Sequence, residues 1–365
     1  MQPSSPIAPA TSTLSQLLPA LLVARNLTRH QAAQLVSAML EADAPDAQIA
    51  AVLALLAAKG ETPDELAGFA DALYQRVLPI AIPRQLLDTA GTGASAVKTF
   101  NVSTAASFVI AAAGCAIAKH GARASTSRSG SADVLAALGV RIECEPAIAV
   151  RCLRELGICF LFAPLYHPAL ARLAPIRRVL AFRTSFNLVG PMVNPCRAEY
   201  RLLGVADEAR MPDVAGALSQ IGVAHAWVLR GGDGLDEITT ACATRVLEVS
   251  QGHSIHVQTV SPRDFGLDER PTAAARAASV EDNAATVRGV LSGARRDVAR
   301  ALVLLNAAAA LHVRTGDGLL ECTARAQRAI DDGAALAKLE ALIRISHAGG
   351  GATHDAAQPQ AGVAS

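Results

Sequence analysis

The sequence predicts an α/β protein in two parts: a small all-helical N-terminal domain, residues 14–80, and a larger α/β domain, residues 84–345, whose mostly parallel central sheet is flanked by helices. Three observations carry this. Leu14 to Val77 keeps helical apolar spacing, with sharp breaks and no alternating run. After Pro83 short apolar runs alternate with helical stretches, the pattern of strands joined by crossover helices. Apolar residues make up 51% of the chain and aromatics only 3%, so Ala, Leu and Val fill an interior that suits closely packed helices. At 365 residues the chain is long enough for both parts and a large core.

The elements follow in order. Residues 1–13 are rich in Pro, Ser and Thr and are expected to be mobile. Thr28 starts a helix as its cap, with Gln31 three residues on as in a capping box. In Lys59-Gly60-Glu61-Thr62-Pro63, Gly60 ends one helix, Thr62 caps the next and Pro63 opens it. A strand runs up to Gly91, and Ala116–Ala118, Cys159–Ala163 and Ala226–Leu229 read as further strands. Each is followed by a polar loop with Gly or Pro, and in such folds the loops at the carboxyl ends of strands carry the site. Helices from about 165–197 are expected to pack on the N-terminal domain. Asp282–Leu291, Val298–Arg314 and Leu319–Ile345 form a helical close, and residues 346–365 read as a disordered tail.

Several function classes are set aside by composition. The formal net charge is +1 and no Lys/Arg block forms a nucleic-acid footprint. The longest apolar runs, Thr104–Ala118 and Ala299–Val313, are read as too short and Ala-rich to span a bilayer. The N-terminus lacks a basic stretch followed by an apolar core, so no secretory signal is read. Seven cysteines without CxxC spacing read as buried reduced thiols. The expectation is a soluble cytoplasmic protein with neither a nucleic-acid nor a membrane partner.

Four segments carry chemistry. Gly91-Thr92-Gly93 follows a strand, and Asn101-Val102-Ser103-Thr104 opens an Ala-rich helix. Glycines let the backbone approach an anion, and N–H groups at a helix N-terminus add partial positive charge. The same residues suit an ordinary turn and helix cap. The second segment, Lys119 to Ser131, packs three cations, five hydroxyls and two glycines into thirteen residues, a composition that suits a loop wrapping a pyrophosphate and that a surface loop could also have by chance. His120, taken alone, reads as a structural hydrogen-bonding residue. In the third segment, Gly231 to Glu237, Asp236 and Glu237 suit magnesium, which takes one or two carboxylates plus phosphates and water; Asp233 lies in the turn itself. The fourth segment, Ala163-Pro164-Leu165-Tyr166-His167-Pro168 with Arg177, Arg178 and Arg183, precedes Phe186–Pro195. An arginine there suits a substrate carboxylate.

In this order and spacing, and with Lys59-Gly60-Glu61-Thr62 and Leu305-Asn306-Ala307-Ala308, the segments resemble the anthranilate phosphoribosyltransferase family of the nucleoside-phosphorylase-like superfamily, over roughly Leu14 to Leu342. The resemblance implies transfer of phosphoribose from phosphoribosyl pyrophosphate to the amine of anthranilate, with magnesium, two ions being expected. It implies that Gly91, Ala94, Ser95, Thr99, Asn101, Val102, Ser103, Thr104, Lys119, His120, Gly121, Ala122, Arg123, Ala124, Ser125, Thr126, Ser127 and Ser131 hold phosphoribosyl pyrophosphate. Gly91, Ala122 and Arg177 would meet anthranilate. Ser103 and Glu237 would bind one magnesium, and Asp236 with Glu237 a second. No residue is assigned as acid or base: Arg177 and Lys119 support, and positioning and electrostatics do the rest. A homodimer built through the helical domain is implied as well.

The chain departs from the family at three places. Gly91-Thr92-Gly93-Ala94-Ser95-Ala96 stands where the family reads Gly-Thr-Gly-Gly-Asp-Gly, Ala122 replaces an asparagine of Lys-His-Gly-Asn-Arg, and Arg128 replaces a lysine. Two rivals follow: a divergent paralogue using another aromatic amine, and a non-catalytic member using the cleft to bind, possibly nucleic acid. A third is a pyrimidine nucleoside phosphorylase of the same superfamily. Near-neutral charge speaks against nucleic acid, and the Asp236-Glu237 pair against the non-catalytic member and the phosphorylase.

Overall fold

The computed structural model describes residues 12–78, 80, 82, 85–124 and 129–348. The expectations for residues 1–11 and 349–365 lie outside these. Ser12 caps the first helix, and the last helix runs on to His347.

The N-terminal part is four helices: α1 (Thr13–Leu22), α2 (Arg29–Met39), α3 (Asp46–Lys59) and α4 (Pro63–Arg76). The local signals act as read. Gln31 N–H donates to Thr28 Oγ1, and Thr28 N–H to Gln31 Oε1, closing the capping box. Thr62 and Glu65 form a second box at α4, with Pro63 in its first turn. Glu65 does more: its Oε1 accepts from Leu27 N–H at 2.9 Å, and Lys59 Nζ pairs with Oε2, the capping-box oxygen, at 2.8 Å where both side chains are buried.

The α/β part holds a seven-stranded sheet in the order β3-β2-β1-β4-β5-β6-β7. In chain order come β1 (Leu87–Gly91), α5 (Val102–Ala112), β2 (Ile117–Gly121), α6 (Ser131–Ala137), α7 (Pro146–Leu156), β3 (Ile158–Phe162), α8 (Ala163–Tyr166), α9 (Ala174–Leu180), α10 (Phe186–Val189), β4 (Tyr200–Gly204), α11 (Met211–Gln220) and β5 (His225–Gly231). Then follow β6 (Thr244–Ser250), β7 (His256–Val260), α12 (Val280–Leu291), α13 (Val298–Thr315), α14 (Leu319–Asp331) and α15 (Ala334–His347). The first five strands of the sheet order are parallel; β6 and β7 join antiparallel.

Alternation along the strands divides the interior in two. Leu202, Trp227, Leu229 and Val246 face one core with α5, α13 and α14, whereas Leu203, Val228, Leu247 and Val249 face another, shared with α11 and the N-terminal helices. Leu173, Ile176, Phe186, Val189 and Met192 also belong to this second core, so the 165–197 stretch packs on the helical unit.

Three readings of the elements are corrected. The sequence pattern misses β4, β6 and β7: β4 carries the buried Arg201, and β6 and β7 alternate polar and apolar, so none forms an apolar run. The stretch read as one helix over Leu319–Ile345 is two, broken at Asp332 and Gly333. The run read as too short for a bilayer belongs to α13, the one described helix long and apolar enough to cross a membrane; its residues are mostly buried in the core. All seven cysteines are free thiols, and burial pushes Cys152 and Cys196 up to about 12.

Candidate active site

Parallel register brings the carboxyl ends of the strands together. Gly91 of β1 stands opposite Gly204 of β4, and Gly204 opposite Leu229 of β5. From β1 the chain enters the Gly91–Ala96 loop, which is held on several sides. Thr92 N–H donates to the Gly204 carbonyl at 2.9 Å, and Ala206 N–H to Thr92 Oγ1 at 3.0 Å. Gly93 N–H donates to Asp236 Oδ2 at 3.0 Å, and Ser95 Oγ lies 2.8 Å from Asp236 Oδ1. Arg183 donates to the carbonyls of Gly93 and Thr92 at 3.0 and 2.9 Å. Gly204 makes the approach of the 236 loop feasible: a Cβ there would lie 1.7 Å from the Asp236 carbonyl oxygen. Ala94, where the resemblance led one to look for glycine, sits at φ +61°, a left-handed conformation costing an L-residue roughly 1–2 kcal/mol.

Beside Asp236, Glu237 is half-buried and its Oε1 accepts from Ser103 N–H at 3.2 Å, at the first turn of α5. The helix N-terminus read from sequence as a cradle for phosphate is thus met by the protein's own carboxylate, which the helix dipole favours. Val102 and Thr104 follow in the same turn. Both side chains are buried and both amides bond the Phe100 and Asn101 carbonyls, so Val102 offers no free donor to an anion, whereas Thr104 keeps a buried hydroxyl without a partner. Burial, reinforced by the Asp236 charge, holds the Glu237 carboxyl well above its ordinary range, against Ser103 N–H and Lys119. Its Oε2 is buried without a hydrogen-bond partner. A hard cation fits this donor set: it would satisfy the orphaned oxygen and neutralise the pair. Among the described residues no cluster of three or more His, Cys, Asp or Glu gathers.

Lys119 does not reach into the loop that follows it. Its buried ammonium donates to the Thr89 carbonyl at 2.9 Å and to Ser103 Oγ at 3.2 Å, forming the floor under the carboxylates. Burial lowers its pKa, opposed by Asp88 and Glu237. Gly121 ends β2 where a Cβ would strike Ser131 Oγ at 2.0 Å, so the loop starts and closes at one point. Asp133 cinches it, accepting from Ala124 and Gly130 N–H at 2.9 Å each and pairing with Arg123 at 3.2 Å. Arg123 itself stays exposed and also lies 3.9 Å from Glu143. Ser125, Thr126, Ser127 and Arg128 lie outside the described residues.

Between these loops opens a cavity of about 450 Å³, lined by Ala94, Ser95, Thr99, Asn101, Ser103, Asp236 and Glu237, and by residues the sequence reading missed: Lys98, Arg276, Ser279 and Asn283. The buried Asn283 accepts from Asn101 N–H at 2.9 Å and donates from Nδ2 to Asn101 Oδ1 at 2.7 Å and Ser129 Oγ at 3.0 Å. It joins three segments far apart in sequence, and no local pattern marks it. Lys98 lies between the Gly91–Ala96 loop and Asn101, where a cation beside a Gly-rich turn is a local signal.

Arg177 sits on α9 with Nε 3.1 Å from Thr184 Oγ1 and Nη2 3.3 Å from Asn187 Oδ1, its guanidinium 5.7 Å from the Phe186 ring. It does not line the cavity just described. Nearby in sequence, His167 donates from Nε2 to the Val193 carbonyl at 3.0 Å, and its ring lies 5.2 Å from that of His120. Both imidazoles are held low by burial, so both are neutral. His120 Nε2 and His167 Nδ1 are buried without partners. Behind them Asp88 of β1 accepts from Asn194 Nδ2 at 2.8 Å and lies 3.6 Å from Arg201, whose Nη2 reaches Tyr74 of α4 at 3.3 Å. Burial raises the Asp88 carboxyl despite Arg201.

The α/β domain of the glycosyl transferase family matches residues 83–336, and the helical bundle domain of that family matches residues 15–77. The anthranilate phosphoribosyltransferase of Herpetosiphon aurantiacus is 44% identical over 88% of this chain and 96% of its own length. That of Thermomicrobium roseum is 46% identical over 87% and 92%. Among solved structures, the crystal structure of the enzyme of that name from Thermus thermophilus superposes with a TM-score of 0.85 at 34% identity, covering 91% of this chain and 99% of that one. The Saccharomyces cerevisiae enzyme in complex with phosphoribosyl pyrophosphate and magnesium gives 0.84 at 25% identity, covering 92% and 98%.

Proposed function

The chain belongs to the anthranilate phosphoribosyltransferase family, and from that premise we propose that it transfers the phosphoribosyl group of phosphoribosyl pyrophosphate to the amine of anthranilate, releasing pyrophosphate, a step of tryptophan synthesis. The observation that carries the reading is the Asp236–Glu237 pair facing a hydroxyl- and amide-lined cavity, with one buried carboxylate oxygen unsatisfied. The named relatives extend along almost the whole chain, so the enzyme class rests on both domains.

Asp236, Glu237 and Ser103 would hold magnesium, which the Saccharomyces cerevisiae structure contains, two ions in this reading; when bound it would supply positive charge beside the pyrophosphate. The chain's own residues do the rest. Thr99, Asn101, Lys98 and Arg276 line the cavity where the phosphates and ribose would bind, and Asn283 fixes Asn101 against Ser129. Lys119 holds Ser103 Oγ and adds positive charge beneath the carboxylates. Arg177 receives the anthranilate carboxylate, its fork already oriented by Thr184 and Asn187. The aromatic amine is itself nucleophilic, so no strong base is required, and the neutral His120 and His167 are consistent with that.

This reading includes a homodimer built through the helical domain and a cytoplasmic location. One observation favours a divergent acceptor: Ala122, at the position of the family's asparagine, is exposed and leaves room there. The test is a pyrophosphate-release assay with phosphoribosyl pyrophosphate, magnesium and a panel of aromatic amines. Turnover with anthranilate alone supports the proposal; turnover only with another amine moves the protein to the paralogue, and none with any amine to a binding role.

A further inference from the structure

We propose that Arg183 is a positioning residue that couples the acceptor end of the cleft to the phosphoribosyl pyrophosphate loop; this rests on the reading of Arg177 as the carboxylate clamp. Two sets of bonds meet within one short turn. Arg183 donates through both ends of its fork to consecutive carbonyls, Gly93 at 3.0 Å and Thr92 at 2.9 Å. Its neighbour Thr184 accepts from Arg177 Nε at 3.1 Å through Oγ1, and its N–H donates to Asn187 Oδ1 at 2.9 Å, the atom that Arg177 Nη2 also reaches.

The far side of the turn is anchored to the rigid body of the protein. Ser185 Oγ donates to Glu61 Oε1, and Glu61 Oε2 pairs with Arg210 at 2.6 Å. The turn therefore has little freedom except through its two arginines. On the loop, Arg183 holds the carbonyls while Asp236 holds the Gly93 amide from the opposite side. A shift of Arg183 tilts the peptide that Asp236 depends on, and with it the metal-binding carboxylate.

An acceptor carboxylate seated on Arg177 fixes the guanidinium and, through Thr184, the backbone that carries Arg183. The loop is then held in the geometry that binds pyrophosphate. By linkage, phosphoribosyl pyrophosphate must tighten acceptor binding by the same factor. Lysine presents one ammonium in place of a planar fork and can serve only one carbonyl well, so it should keep part of the effect.

The test uses benzoate, a carboxylate with no amine, so that no turnover intervenes. Calorimetry measures its affinity for the full-length protein with and without phosphoribosyl pyrophosphate and magnesium. Wild type should bind benzoate at least fivefold more tightly when loaded. In Arg183→Met the ratio should fall to within twofold of unity, with affinity for the unloaded protein kept within threefold; Arg183→Lys should lie between. A ratio near unity in wild type, or an unchanged ratio in Arg183→Met, overturns the coupling. If Arg183→Met does not fold, an Arg183→Lys ratio equal to wild type overturns it instead. Failure of phosphoribosyl pyrophosphate to bind wild type overturns the functional reading as well, whereas binding and turnover with an unaffected ratio sinks the coupling alone.

Discussion

Replacing Gly204 by alanine adds one methyl group where no space exists. The new Cβ would lie 1.7 Å from the Asp236 carbonyl oxygen and 2.5 Å from its carbonyl carbon. Carbon–oxygen contacts settle near about 3.3 Å, so the Asp236 backbone must retreat by roughly 1.6 Å. Nothing at this contact is a flexible side-chain end, and Asp236 is bound to Gly93 and Ser95 while Glu237 is bound to Ser103. Both carboxylates move together. A displacement of about 1 Å at a catalytic group typically costs about a hundredfold, so kcat/KM should fall by about 10²-fold, or about 2.7 kcal/mol of transition-state stabilisation. Overpacking should cost about 1–3 kcal/mol of stability, a melting shift of several degrees. The control is Gly318→Ala, whose added Cβ would meet no heavy atom within 4 Å. Steady-state rates across a magnesium titration and thermal melts read both variants. If Gly204→Ala stays within twofold of wild type in rate and magnesium dependence, or matches Gly318→Ala, the carboxylates do not owe their position to this contact.

Glu237→Gln should keep the fold, since it removes a costly buried charge, yet lower turnover by at least about 10²-fold; unchanged rates at limiting magnesium would refute the metal assignment. Arg201→Met strands the buried Asp88 and should destabilise by about 3–5 kcal/mol at neutral pH. Because burial already holds the Asp88 carboxyl above its unfolded value, the folded form binds a proton more readily, so the variant's deficit should shrink as pH falls toward about 5; a pH-independent deficit in thermal melts contradicts this. Ala122→Asn adds an amide at an exposed cleft position, and one net hydrogen bond of about 0.5–1.5 kcal/mol should raise kcat/KM for anthranilate by up to about tenfold. A loss with anthranilate in an otherwise folded protein would point to a different acceptor.

What the sequence determined by itself was local or periodic. Capping boxes at Thr28 and Thr62, the break at Gly60, the helical N-terminal unit and the buried strands β2, β3 and β5 each depend on neighbours within a few residues. The pairing of Asp236 with Glu237, and the role of Asp233 in its own turn, were legible for the same reason: Asp233 accepts from Leu235 and Thr239. Only the tertiary structure decided what the loops do to each other. Glu237 takes the α5 N-terminus that the local pattern offered to phosphate, because a buried carboxylate needs donors and Ser103 N–H supplies one. Lys119 turns into the floor, since its strand position aims it at Thr89 and Ser103. Asn283 and Gly204 had no sequence signal at all: one joins Asn101 to Ser129, the other admits the Asp236 backbone, and both act on partners far away along the chain. Spacing along a chain encodes hydrogen bonds that close within a turn of helix or a strand. Which distant donor satisfies a buried acceptor is fixed only when the strands align and bring their carboxyl ends to one edge.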